Sequence, residues 1–284
     1  MMKLLRWSLT VCLMLLAVAA RAAGPDEVVG MVLDVQGNGE LLRQGRTSKL
    51  QLLSYIKPGT QLKIDAGAKA SVSHYGAKLI YQLTGPVQAE VDAERLKVVS
   101  GAPAVTKSLA EKVVAAAVNP NMGAAAFKMR GLGQEIAMLA PTNRSVQLTL
   151  RPRFQWSAPE PASYQLTVIE APERVIARAT VDGSSWELPA NVKLQQGKDY
   201  RWSVSYTPAS DGQMRSAGAE FSVATQAESD ATLALKPGAG AAVDEWVLYA
   251  AILRDRQMLD EARQVWREIA SQRPDLATAH TMAR

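Results

Sequence analysis

Short apolar runs separated by turn residues fill the chain from residue 26 to residue 100. Val28-Val29-Gly30-Met31-Val32-Leu33-Asp34-Val35 predicts a strand ended by Gly37-Asn38-Gly39, and Glu40 to Arg43 returns across that turn as a hairpin. Leu50 to Ile56 stops at Lys57-Pro58-Gly59-Thr60, and Leu62-Lys63-Ile64 stops near Gly67. Ala70 to Ser73 leads into His74-Tyr75-Gly76, read as an exposed turn. Leu79 to Leu83 meets Gly85-Pro86. Val87, Ala89 and Val91 then alternate with Gln88 and Glu90, as a half-buried strand does. Arg95 to Val99 ends at Gly101. Strands at this spacing predict a sandwich, barrel or β-roll.

Residues 101–140 read as an alanine-rich connector. Leu109 to Ala117 suits a short helix with Leu109, Val113 and Ala116/Ala117 on one face, while Ala124 to Met129 and Gln134 to Leu139 fit strand or helix equally. Alternation returns over 141–223, in Phe154-Gln155-Trp156, in Tyr164 to Val168, in Tyr200, Trp202 and Val204, and in Phe221 and Val223. One aromatic side per strand predicts a β-sandwich with Trp156, Tyr164, Tyr200, Trp202 and Phe221 in its core. Residues 224–242 are polar, then rich in Gly, Ala and Pro, and read as a flexible linker. The period then changes over 243–284. Trp246, Tyr249, Ala250 and Leu253 fall at helical spacing, as do Leu259, Ala262, Trp266, Ile269 and Ala270, and Arg273-Pro274 stops the second helix. Asp260 and Glu261 near its start and Arg267 near its end suit the helix dipole. The fold class is mainly β: two β units followed by a small α-helical hairpin.

Three resemblances follow from these residues. Over 26–100 the ordered series Gly30-Met31-Val32, Gly37, Ile56 with Gly59-Thr60-Gln61-Leu62, Gly67-Ala68-Lys69-Ala70, Tyr75-Gly76 and Gly85-Pro86-Val87-Gln88-Ala89-Glu90-Val91 resembles the FecR-type periplasmic domain. Tyr75 stands where that family usually has a polar turn residue. Residues 141–223 resemble a fibronectin type III or similar immunoglobulin-like domain without a disulfide, and Leu194 to Tyr200 looks like the approach to a tyrosine corner. Residues 243–276 resemble one tetratricopeptide repeat, with Trp246, Ala250, Ala262, Trp266, Ala270 and Pro274 at its expected places. Tyr249, Leu253 and Gln257 depart from it, the last where glycine is common at the turn. One repeat does not bury both faces of a helix pair. It either packs on the β units or offers Trp246, Tyr249, Leu253 and Trp266 as a surface for a partner.

Residues 1–22 read as an export signal: Lys3 and Arg6, an apolar run from Trp7 to Ala20, then Ala20-Arg21-Ala22. The run is shorter than the about 20 residues of a membrane span, although a retained anchor is the minority alternative. Cleavage predicts a periplasmic or secreted protein. It changes the charge as well, because the chain's 32 basic residues fall to 29 against 27 acidic, and net +5 becomes +2. Such a balance gives no electrostatic reason to expect nucleic acid. The single cysteine, Cys12, leaves with the signal, so disulfides, thiol catalysis and thiolate metal sites are excluded from the mature chain. Only His74 and His280 remain for imidazole chemistry. No Walker loop, Gly-x-Ser-x-Gly or His-Glu-x-x-His is present.

The expectation is therefore a non-enzymatic protein without catalytic, cofactor-binding or metal-binding residues. Its partners would be proteins of the cell envelope or a second copy of itself. Glycan binding through Trp156, Trp186 and Trp202 is an alternative that requires those rings to be exposed. FecR-type proteins are best known as membrane-spanning regulators with a cytoplasmic segment before the membrane helix. Six residues precede the apolar run here, so the resemblance implies the domain more than the signalling role.

Overall fold

In the computed structural model, residues 27–117, 136–209 and 212–284 are described. The predicted export signal and the segment Ala124 to Met129 lie outside them.

The first β unit contains β1 (Gly30–Gln36), β2 (Gly39–Arg43), β3 (Arg46–Lys49), β4 (Tyr55–Ile56), β5 (Thr60–Ile64), β6 (Lys69–His74), β7 (Leu79–Thr84), β8 (Val87–Val91), β9 (Leu96–Gly101) and β10 (Val105–Ser108). They form two five-stranded antiparallel sheets, ordered β10-β7-β6-β1-β4 and β3-β2-β5-β8-β9. The two sheets differ as their sequences do. β8 alternates buried and exposed positions, so it has one solvated face. β1 is apolar and buried at four successive positions, the signature of a strand covered on both faces. Val32 points between the sheets with Ile56, Leu62 and Val72, while Met31 and Leu33 point the other way, toward helices.

Two glycines of the FecR-like series mark close backbone approaches. A Cβ at Gly30 would lie 1.9 Å from the Ser73 carbonyl oxygen, and one at Gly85 would lie 1.8 Å from that of Asp65. Neither position tolerates a side chain without moving a neighbouring backbone. His74, expected at an exposed turn, is 1% exposed. Its Nδ1 accepts the Ala77 N–H at 3.0 Å and its Nε2 lies 3.0 Å from the Asp92 carbonyl. One neutral tautomer satisfies both bonds and ties the β6–β7 hairpin to the β8–β9 hairpin.

The connector is not one element. β10 adds an edge to the first sheet by pairing with β7. Leu109, just before helix α1 (Glu111–Ala117), and Val113, Ala116 and Ala117 within it then pack against the helices that follow.

The second β unit contains β11 (Ala137–Ala140), β12 (Ser145–Gln147), β13 (Arg153–Ser157), β14 (Ser163–Glu170), β15 (Arg174–Asp182), β16 (Ser185–Glu187), β17 (Asp199–Tyr206) and β18 (Arg215–Val223). A three-stranded sheet, β11-β13-β16, faces a five-stranded one, β12-β18-β17-β14-β15, whose short first strand runs parallel to β18. That order is the one used by fibronectin- and immunoglobulin-type sandwiches. Trp156, Tyr164, Tyr200, Trp202 and Phe221 are all buried in its core. Phe154 meets Trp202 edge-on at 5.2 Å, and Tyr200 stacks on Phe221 at 5.5 Å. The Trp202 indole N–H donates to the Pro141 carbonyl at 3.1 Å. The Tyr200 phenol oxygen accepts the Gln195 N–H at 2.7 Å, five residues back, which is the geometry of a tyrosine corner.

The segment 224–242, read as a flexible linker, contains helix α2 (Gln226–Leu233) instead. Thr225 caps it and Glu228 reaches back to the Thr225 N–H, a capping box. Arg256 donates to the Thr232 hydroxyl at 2.6 Å, and Leu235 is buried against the helices beyond, so the segment is docked. Helices α3 (Val243–Asp255) and α4 (Leu259–Gln272) pack as a hairpin, and α5 (Ala277–Met282) packs on α4. The turn between α3 and α4 places Gln257 at φ 59°, the left-handed region that favours glycine.

Candidate interaction surface

Four helical residues were singled out as a surface for a partner, and three of them are buried. Tyr249 is 4%, Leu253 1% and Trp266 1% exposed. They belong to one continuous apolar cluster that also holds Met31, Leu33, Tyr75, Ile80 and Leu109 of the first β unit. Only Trp246 keeps a half-exposed ring, edge-on to Tyr249 at 6.2 Å. The physical reason is the doubly covered β1. Its outward residues need an apolar partner, and the helical hairpin supplies one. Burial also pushes the Tyr75 and Tyr249 phenols above the ordinary tyrosine range.

The rings proposed for glycan stacking are withdrawn in the same way. Trp156 and Trp202 are buried, and Trp186 is half-buried with Phe154 at 5.7 Å. No flat aromatic platform is formed by these three.

Two ends of α4 hold the helical unit in place. At its start, the Asp260 carboxylate accepts the Thr142 N–H at 3.1 Å, the Thr142 hydroxyl at 2.8 Å and the Gln147 amide at 2.7 Å. Beside it, Glu261 accepts the Leu148 N–H at 2.8 Å, and its other oxygen is buried without a hydrogen-bond partner. Burial raises the Glu261 carboxyl above the ordinary glutamate range. The Gln257 carbonyl accepts the Val146 N–H at 2.8 Å. Both carboxylates lie in the helix's first turn, where the sequence suggested a role against the dipole. The structure adds a second role, since they also grip the sandwich.

Past the other end, one terminal nitrogen of Arg273 reaches both carboxylate oxygens of Asp34 on β1, at 2.7 and 2.9 Å, while its other two nitrogens grip Asp275 as a fork at 2.8 and 2.7 Å. Hydrogen bonding to Arg273 keeps the Asp275 carboxyl below the ordinary aspartate range. Lys107 on β10 pairs with Glu245 on α3. Pattern reading does not find these contacts, because their partners are backbone groups or residues remote in sequence.

What remains open is the outside. On the solvated face of β3-β2-β5-β8-β9, Leu42 and Val99 are exposed beside Gln61, Lys63, Gln88 and Glu90, around a depression of about 250 Å³. A longer cleft runs between α4 and the sandwich, in two adjoining compartments of about 440 and 520 Å³. Among the described residues, no three His, Cys, Asp or Glu are grouped as metal ligands, and no helix is long and apolar enough to cross a membrane.

No protein-family model matches the chain, and no curated protein sequence matches it. Among solved structures, it is similar to a segment of two fibronectin type III domains from chicken tenascin. The identity is 12%, with 69% of this chain and 94% of the tenascin segment covered and a TM-score of 0.21. At that score the two chains do not superpose as one fold. The sandwich's strand order stands on its own hydrogen bonds.

Proposed function

We propose that this is an exported, non-enzymatic, multi-domain protein that mediates protein–protein contacts in the cell envelope. The ordered FecR-like series, the fibronectin-type sandwich and the tetratricopeptide-like hairpin support this reading, because each resembles a module used for contact. One observation carries it furthest. The helical unit packs on both β units, so its buried residues serve to hold a scaffold together. The scaffold's outward sheet face and cleft stay free to meet a partner. The export signal supports a periplasmic or secreted location.

The test is affinity capture from envelope extracts with the mature chain, with sequencing of its N-terminus. The expected result is a start near Ala23 and repeated recovery of the same protein partner, or of a second copy. Recovery of no protein while purified peptidoglycan binds would favour the glycan alternative. An uncleaved N-terminus in the inner membrane would favour FecR-type signalling.

A further inference from the structure

The cleft between α4 and the sandwich is the most chemically defined open feature of the molecule. Its two compartments share one wall, made by Ala140, Gln155, Asp260 and Arg267. Clefts of this size at domain boundaries are where ligands are usually held. The charges along it are not equivalent. Asp260 is saturated by Thr142, Gln147 and Arg263. Glu261 faces the seam, bonded to Leu148.

Arg263 is fixed as well, donating to Asp260 at 2.9 Å and to the Thr142 hydroxyl at 3.2 Å. Arg267, one helical turn further on, is exposed and has no hydrogen-bond or ion-pair partner among the described residues. Its planar guanidinium lines both compartments. Beside it in the first compartment, Leu139 keeps 41% of its surface exposed, where the β11–β13 register shifts between Met138 and Ala140. Arg263 and Arg284 join Arg267 in the first compartment, while in the second Arg153 stands against Glu261 and Glu268, so the cationic end of the cleft is the one next to Leu139.

We infer that this cleft binds an extended peptide segment, with an acidic side chain on Arg267 and a neighbouring apolar side chain against Leu139. Arginine suits this role because its fork matches a carboxylate with two parallel hydrogen bonds. Successive side chains of an extended backbone point to opposite faces, so an acidic residue toward Arg267 on the α4 wall is followed by an apolar one toward Leu139 on the sandwich wall. The inference rests on the protein-contact reading above and gives the partner a chemistry.

The probe is a fluorescein-labelled hexapeptide of alternating Glu and Leu, with the Gln/Leu peptide as control, titrated by anisotropy against the whole mature chain. Saturable binding of the Glu peptide is expected, weakened at least tenfold by Glu-to-Gln replacement, by Arg267→Glu, and by raising salt from 50 to 500 mM. Arg267 is exposed, so the variant should keep its circular dichroism. Arg178→Glu, exposed on the edge strand β15 and lining neither compartment, should change nothing.

Absence of saturable binding would overturn the inference, as would equal affinity of wild type and Arg267→Glu. So would Arg267-dependent binding of a polyanionic glycan in place of the peptide. Envelope capture separates the two readings. If Arg267→Glu still recovers the wild-type partner, the cleft assignment fails and the contact reading stands. If wild type recovers no partner, the contact reading fails whatever the peptide does.

Discussion

Against the first β unit the helices present apolar side chains; against the sandwich they present carboxylates and a carbonyl. The first seam joins Met31, Leu33, Tyr75 and Ile80 to Tyr249, Leu253 and Trp266 in one dry cluster, with the Arg273–Asp34 pair at its margin. The second has only Val146 and Leu148 as half-buried apolar contributors, and relies on bonds from Asp260, Glu261 and Gln257. Apolar burial is non-directional and scales with area, whereas each of those bonds contributes about 0.5–1.5 kcal/mol, or about 1.5–3 when charged. The first seam should therefore set stability, and the second should set orientation.

The largest perturbation expected is Trp266→Ala, which removes a fully buried indole from the apolar cluster that includes the first seam. A loss of about 3–5 kcal/mol in urea unfolding is expected, with faster amide exchange in β1 as well as in α4. A loss confined to the helices would mean that the seam is not shared. Next comes Arg273→Ala, which leaves Asp34 without its guanidinium partner in a mostly covered position. It should cost about 1.5–3 kcal/mol, and Arg273→Lys should recover only part, because a single ammonium cannot hold Asp34 and fork onto Asp275 at once.

pH separates the two ends of α4 by sign. Glu261 has a folded-state value raised by burial, so its contribution is fully present below the ordinary glutamate value of about 4.3 and is lost as pH rises through the raised value. Asp275 has a folded-state value depressed by Arg273. Its contribution is present above about 3.9 and is lost as pH falls through the depressed value. Glu261→Gln should therefore gain stability relative to wild type as pH rises from 4 to 7. The measurement is a set of urea midpoints across that range. A constant difference would place Glu261 in water.

The smallest effect concerns the turn. Gln257→Gly relieves a non-glycine residue at φ 59° and keeps the carbonyl that Val146 needs, so a gain of up to about 1 kcal/mol is expected.

Much of the fold was legible because it is periodic. The alternation in β14 and β17 marked the sandwich core, and the change to helical spacing marked α3 and α4. The departures from the family patterns carried information of another kind. Tyr75, odd for a polar turn, is buried in the first seam, and Tyr249 and Leu253 lie in the same cluster. The linker was misread because polar composition outweighed a local signal that was present. Thr225-Gln226-Ala227-Glu228 spells a capping box. His74 was placed in solvent because its two partners are backbone groups, which leave no mark on side-chain periodicity. Asp260 and Glu261 were visible as first-turn acids, but the groups they bond lie more than 100 residues away, at Thr142, Gln147 and Leu148. Arg267 is set apart from Arg263 by having no hydrogen-bond or ion-pair partner among the described residues, a fact no sequence records.

The central claim is that the helical unit is fixed to both β units. Cys12 is the single cysteine of the chain, so in a Cys12→Ser background pairs of spin labels can be placed at will. Labels at Gln272 with Glu90, and at Gln272 with Thr180, measure both seams by double electron–electron resonance. One narrow distance peak for each pair is predicted, with Arg273→Ala broadening the first. A broad distribution for the first pair in the unmutated chain would contradict the account, since it would mean that the helices move freely from the β unit whose apolar face they cover.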